Sequence, residues 1–271
     1  MLLKRVLAAL VLAAIGLPAI IFGHIPYFVV ITVLLILAAW EYAHLFRAAG
    51  FFPSSILVVG GVFLLVTVRQ FIPDASAMGL AFLGLAAMTW HLVAFERGRN
   101  QAATDFGITI GGIVYLGWIG AYFIDLRALP DGLWYLLLSL GSVWIADSAA
   151  YFIGSRFGRH KLSPRLSPKK SWEGYAASVF TGAHTGALYV WVFQTFGNHI
   201  HGITIWQGAV LGLLLGSLPT LGDLGESMIK RQSGIKDSSD IIPGHGGFFD
   251  RIDSWLWGSV IGFYFLTWFI I

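Results

Sequence analysis

The chain has 271 residues, of which 57% are hydrophobic and 11% charged, a balance that excludes an ordinary soluble domain. It contains no cysteine, which removes disulfide frameworks, thiolate nucleophiles and zinc-cysteine sites. Its formal net charge of +3 is modest and is read as basic topogenic loops of a membrane protein, with no nucleic-acid partner.

Apolar stretches of about 17 to 25 residues match a hydrocarbon core of roughly 30 Å. A backbone in lipid must satisfy its own hydrogen bonds, and barrel strands would alternate polar with apolar residues. The expectation is therefore an all-α polytopic membrane protein with about nine transmembrane helices. These are read near Val6 to Phe22, Tyr27 to Phe46, Ser55 to Val68, Ala77 to Ala94, Gly107 to Ile124, Gly132 to Ile153, Trp172 to Phe196, Ile205 to Leu221 and Trp255 to Ile271. The first, led by Lys4 and Arg5, is read as a retained span in preference to a signal peptide. The third is short, so eight spans with one half-inserted segment is the alternative.

With the N-terminus in the cytoplasm, only Arg69 and Arg127 of the seventeen Lys and Arg residues fall outside, a strong fit to the positive-inside rule. No linker separates soluble domains. The chain is read as one continuous membrane domain, a scaffold over 1–130 followed by a chemistry-bearing region over 131–271.

The eighth span carries Gly208, Gly212 and Gly216 at four-residue spacing, a stripe that lets another helix approach closely. It loosens at Pro219 and Gly222, where Asp223 appears. Beyond it, residues 227–253 read SMIKRQSGIKDSSDIIPGHGGFFDRID. Charge concentrated beside apolar spans, with a chain-breaking Pro243-Gly244-His245-Gly246-Gly247 in its middle, points to a charged ligand at a membrane surface.

Asp223 and Asp250 are the first candidates for a hard cation, which takes carboxylate, water and phosphate oxygens. The bland readings are that Asp223 caps a helix and Asp250 pairs with Arg251. Lys230, Arg231 and Lys236 supply charge for phosphate, lysine as a mobile point and arginine as a planar fork. The glycines permit close backbone approach and turn N–H groups toward an anion. A second constellation, SPRLSPKKSWEG at 163–174, offers Lys169 and Lys170 to phosphates, while Ser171 and Glu173 stand where they would cap a helix. Pro164 and Pro168 interrupt any helix there. Asp147 lies within a span, where an ionisable residue is costly and is a functional hypothesis by default. Glu41 is similar but lies nearer a span end, where snorkelling or a pair with Arg47 is at least as good a reading. His91, His184, His199 and His201 show no metal-ligand spacing.

Ser227, Lys230-Arg231, Lys236-Asp237, Pro243, His245-Gly246-Gly247, Asp250-Arg251 and Asp253 together resemble the signature of the phosphatidate cytidylyltransferase (CDP-diacylglycerol synthase) family. SPKKSWEG at 167–174 resembles a second segment of that family. The resemblance implies transfer of a cytidylyl group from CTP to phosphatidic acid with Mg2+, a second metal ion being left open. It implies Asp223 and Asp250 at the metal, and Lys236 and Asp237 beside them in catalysis. Lys169, Lys170, Ser171, Glu173, Ser227, Lys230, Arg231, His245, Gly246, Gly247, Arg251 and Asp147 are implied around the substrates. An integral protein of a bacterial inner membrane is expected, its site facing the cytoplasm; the glycine stripes permit a homodimer. A transporter or channel is the alternative from another class, and a polyprenol kinase using CTP is the alternative among enzymes.

Overall fold

A computed structural model describes residues 2–235, 238–239 and 246–271, with the side chains of residues 2–10 and 12 outside the description. The helices are α1 (Leu2–Phe22), α2 (His24–Ala48), α3 (Ser55–Phe71), α4 (Ser76–Glu96), α5 (Ala102–Gly112), α6 (Tyr122–Ala128), α7 (Gly132–Phe157), α8 (Trp172–Gly197), α9 (Ile205–Ser217), α10 (Thr220–Gln232) and α11 (Phe249–Phe269). Most of the apolar stretches read from the sequence fall on one helix, but Gly107 to Ile124 runs through α5, a π-helical segment and the start of α6, and Ile205 to Leu221 breaks between α9 and α10. Among the described residues, five helical runs, His24–Ala48, Pro73–Glu96, Ala102–Ala128, Gly132–Phe157 and Ile205–Gln232, are long and apolar enough to cross a membrane. The chain is an integral membrane protein built almost wholly of α-helix.

Two local departures from plain helix matter. Between α5 and α6 the chain runs through a π-helical segment, Ile113–Trp118, a form that re-aims side chains and recurs at functional sites. Between α7 and α8 lies an antiparallel hairpin of β1 (Lys161–Ser163) and β2 (Ser167–Ser171), with Lys161 opposite Ser171. The prolines that interrupt helix in this stretch leave an extended backbone that pairs with itself.

The chain forms two compact units, one of residues 1–125 with 229–252, the other of residues 126–228 with 253–271. Helices α10 and α11 therefore each change unit along their length.

In the first unit, helix starts and loops are fixed by polar side chains. Ser54 caps α3 by accepting from Leu57 N, and its own N–H donates to Thr109 Oγ1 at 3.0 Å. Asp105 on α5 accepts from Phe52 N at 2.8 Å and from Arg99 Nε at 2.7 Å, closing the loop before α3 onto the start of α5.

In the second unit the glycine stripe does what its spacing predicts. A Cβ on Gly212 of α9 would overlap the carbonyl oxygen of Gly182 on α8 and stand 3.0 Å from the Gly186 Cα. The two backbones touch, as small-residue stripes allow between membrane helices. A capping box of Thr204 and Gln207 starts α9. After Leu218-Pro219 the chain restarts as α10, which places Asp223 in its first turn.

Candidate active site

In the second unit, carboxylates gather around one lysine. Lys170 at the end of β2 reaches Asp223 Oδ2 with its Nζ at 2.7 Å. Ser227, one turn along α10, contacts Asp223 Oδ1 at 3.4 Å. Asp147 on α7 hydrogen-bonds Ser254 on α11 and lies within electrostatic reach of Lys170 and Asp223. Asp253, in α11 ahead of the apolar run from Trp255, is buried, with 8% of its surface exposed. Burial first, and then the negative charge of Asp223, pushes its carboxyl up to about 7. Asp147, Asp223 and Asp253 thus lie within electrostatic reach of one another and of Lys170.

The hairpin that presents Lys170 is tied down locally. Ser171 caps α8 by accepting from Gly174 N at 3.2 Å. Glu173, in the first turn of α8, turns back to the hairpin and accepts from Arg159 N at 3.1 Å and His160 N at 3.2 Å, with His160 Nδ1 at 2.6 Å. Ser171 thus caps as the sequence suggests, while Glu173 fixes the turn that leads into β1. Lys169 is exposed beside them.

In the first unit, a second lysine-carboxylate pair forms. Lys230 of α10 pairs with Asp250 Oδ1, in place of the Asp250 to Arg251 pairing considered from the sequence. Neighbouring residues of a helix point in different directions, and Arg251 lies exposed. Asp250 Oδ2 is met by Ser238 N at 3.0 Å, Ser238 Oγ at 2.6 Å and Gly247 N at 2.9 Å. Gly246 adopts φ +78, open to glycine and rare for other residues. The N–H of Gly247 does turn toward an anion, and in this structure that anion is the chain's own Asp250.

Glu41 is the residue whose role the sequence misplaces. It is fully buried and accepts from Phe248 N at 3.0 Å and Phe249 N at 2.8 Å. Ser239 Oγ donates to it, and Ser238 Oγ stands 3.1 Å from its Oε2. It neither snorkels nor pairs with Arg47, whose guanidinium meets the Pro53 carbonyl oxygen. A Cβ on Gly247 would overlap Ser238 Oγ and both Glu41 oxygens, so glycine there is a packing requirement.

Of the remaining sequence candidates, Arg231 is exposed, while Lys236, Asp237 and His245 lie outside the described residues. Asp223 and Asp250 belong to different compact units. Asp253 and Glu41 are the site residues sequence reasoning left without an assigned role. The signal for Asp253 was present, as a carboxylate one turn after Asp250. Glu41 gave none, because its partners lie 197 to 208 residues away.

An integral membrane protein with lysines set against carboxylates at polar helix ends has the makings of a membrane enzyme that handles phosphate groups. The sequence model of the Cytidylyltransferase family matches residues 3–269, and the chain belongs to that family. It is similar to the phosphatidate cytidylyltransferase of Synechocystis sp., at 30% identity over 97% of this chain and 96% of the relative. The phosphatidate cytidylyltransferase of Bacillus subtilis is 31% identical over 93% of each chain. That of Haemophilus influenzae is 47% identical over 45% of this chain and 42% of its own.

Proposed function

We propose that this protein transfers the cytidylyl group of CTP to phosphatidic acid, giving CDP-diacylglycerol and pyrophosphate. A phosphate oxygen of the lipid bonds to the α-phosphorus of CTP as the bond from that phosphorus to the β-phosphate bridge breaks, and pyrophosphate leaves. No protein nucleophile is needed, in keeping with a chain that lacks cysteine. The observation that carries this reading is Lys170 seated on Asp223 among Asp147 and Asp253, in a chain matched by the cytidylyltransferase family along nearly its whole length.

The donor chemistry fits Mg2+. Carboxylate oxygens are hard ligands, and Asp223, Asp147 and Asp253 bring such oxygens together; a nearby cation would favour the charged form of Asp253. Among the described residues no group of three His, Cys, Asp or Glu side chains is placed to hold a metal unaided. Mg2+ usually keeps several waters and binds through one or two carboxylates together with substrate phosphate. Asp223 is the leading ligand, and Asp250 is the candidate in the other unit. When bound, Mg2+ would offset charge on the phosphates during transfer. A second ion would find oxygen donors of the same kind.

The chain's own residues hold and neutralise the phosphates. Lys170 and Lys230 each stand on a carboxylate, poised to exchange that partner for a phosphate oxygen. Arg231, Lys169 and Arg251 extend the positive surface, and we assign Lys236 and the His245–Gly247 stretch to the nucleotide, with Asp237 beside them. Nine spans and a cytoplasmic site in a bacterial inner membrane complete the proposal; because α8 of the same chain takes up the Gly208, Gly212 and Gly216 stripe, a homodimer would pack through another face. Charge concentrated in two stretches of the sequence, 156–174 and 226–253, favours surface chemistry over transport. Purified protein given phosphatidic acid, CTP and Mg2+ is expected to release pyrophosphate and form CDP-diacylglycerol. Absence of both products across varied lipids and metals would overturn the proposal.

A further inference from the structure

Glu41 gathers donors from both sides of residues 240–245: Ser238 and Ser239 before them, Phe248 and Phe249 after them. The N–H groups at the start of a helix lack partners within it. For α11 two of these are met by a carboxylate of α2, and negative charge at that end also complements the helix dipole. Leaving any of these donors without an acceptor in a buried site would be costly.

The side chain of Phe249 is held as firmly as its backbone. It is fully buried, and its ring packs edge-on against Tyr42 at 6.1 Å and Tyr115 at 6.4 Å. Tyr42 follows Glu41 on α2, and Tyr115 stands in the π-helical segment Ile113–Trp118, so α2 and the π-helical segment both pack on one residue. The next residue is Asp250. The Ser238 hydroxyl, with one proton to give, lies between Glu41 Oε2 at 3.1 Å and Asp250 Oδ2 at 2.6 Å, which links the buried acid to the Lys230-Asp250 pair.

We infer that Glu41 is a positioning residue for cytidylyl transfer: it clamps the two flanks of residues 240–245 to α2 and thereby holds Asp250 and Lys230 in the geometry that meets substrate phosphate. The inference rests on the function proposed above, and it concerns a residue that never touches substrate. Its effect is therefore on kcat, through the placement of groups that do.

The test compares full-length Glu41→Gln and Glu41→Asp with the parent in lipid nanodiscs, measuring CDP-diacylglycerol formation and amide hydrogen exchange. Phe248 N and Phe249 N donate to different oxygens of Glu41, and Gln in the same rotamer turns its NH2 toward one of them. Misplacement of distant groups by about 1 Å can cost about 10²-fold, and a loss of that order is expected in kcat for Glu41→Gln, with KM for CTP little changed. Faster exchange confined to the amides around 248 and 249 should accompany it, and Glu41→Asp should recover part of both. Should Glu41→Gln fail to fold, Ser239→Ala removes one donor and keeps the carboxylate, and faster local exchange with lowered kcat supports the inference. Unchanged kcat in a folded Glu41→Gln protein overturns it, whether or not melting temperature or exchange changes. The exchange readout is independent of activity: a parent enzyme inactive on phosphatidic acid but with a Glu41-dependent 248–249 segment would sink the function and leave the clamp standing.

Discussion

Asp250→Asn is the substitution with the most closely determined outcome. The Lys230 and Asp250 side chains are 13% and 10% exposed, so the pair is screened little by water. An asparagine in the same place keeps an oxygen for Ser238 N and Gly247 N only by turning its NH2 group toward the Lys230 ammonium. Removing one partner of a buried pair costs about 3–5 kcal/mol, and the surviving neutral hydrogen bonds place this case near the lower end. For chains of this size class each kcal/mol moves Tm by roughly 2–4 °C, so a fall of about 6–12 °C is expected in detergent by intrinsic fluorescence. Turnover of CTP should drop by about 10²-fold or more, the order seen when a preorganised charge partner is lost. The double variant Lys230→Met with Asp250→Asn should regain stability without regaining activity, because it leaves no uncompensated buried charge. A single variant that melts with the parent and turns over at the parental rate would refute the reasoning.

Two further outcomes follow from other parts of the molecule. Gly212→Ala puts a Cβ into the Gly182 carbonyl oxygen, a backbone atom that cannot swing aside, and should destabilise by about 1–3 kcal/mol. Gly84→Ala on α4, which meets nothing within 4 Å, should be neutral or gain up to about 1 kcal/mol from helix propensity; thermal unfolding in detergent separates them. Asp253 has its carboxyl raised to about 7 by burial and then by Asp223, so the folded state retains a proton that the unfolded state has lost. The stability it contributes is complete below the ordinary aspartate value and is lost as pH rises through 7. In metal-free protein, Tm should fall over that window, Asp253→Asn should flatten the fall, and Mg2+ should stabilise the parent more at pH 8 than at pH 6. A parent curve matching that of Asp253→Asn would contradict this.

Apolar length located most of the helices, because lipid leaves the backbone few other choices, but not the breaks between α5 and α6 or between α9 and α10. The stripe of Gly208, Gly212 and Gly216 was legible for a similar reason: four-residue spacing puts small residues on one helix face. Pro219 marked the break that sets Asp223 at a helix start. The hairpin 161–171 was seen only as an interruption, since prolines say where a helix stops and not what the backbone does instead. At Asp250 the bland pairing with Arg251 failed on helix geometry, which turns adjacent side chains apart. The glycine run was read as a place where a ligand comes close to the backbone; at Gly247 the groups that come close are Glu41 and Ser238. Glu41 itself was illegible because its partners are far away in sequence, and a glutamate near a helix end looks the same whether it snorkels or is buried under four donors. Asp253 needed the fold to show its burial.

The most direct measurement of the central claim uses CTP labelled in turn at the α- and γ-phosphate, with phosphatidic acid as acceptor. Cytidylyl transfer predicts label in the lipid product from the α position only, with γ-label released as pyrophosphate. Label entering lipid from the γ position would make the protein a CTP-dependent lipid kinase and contradict the account.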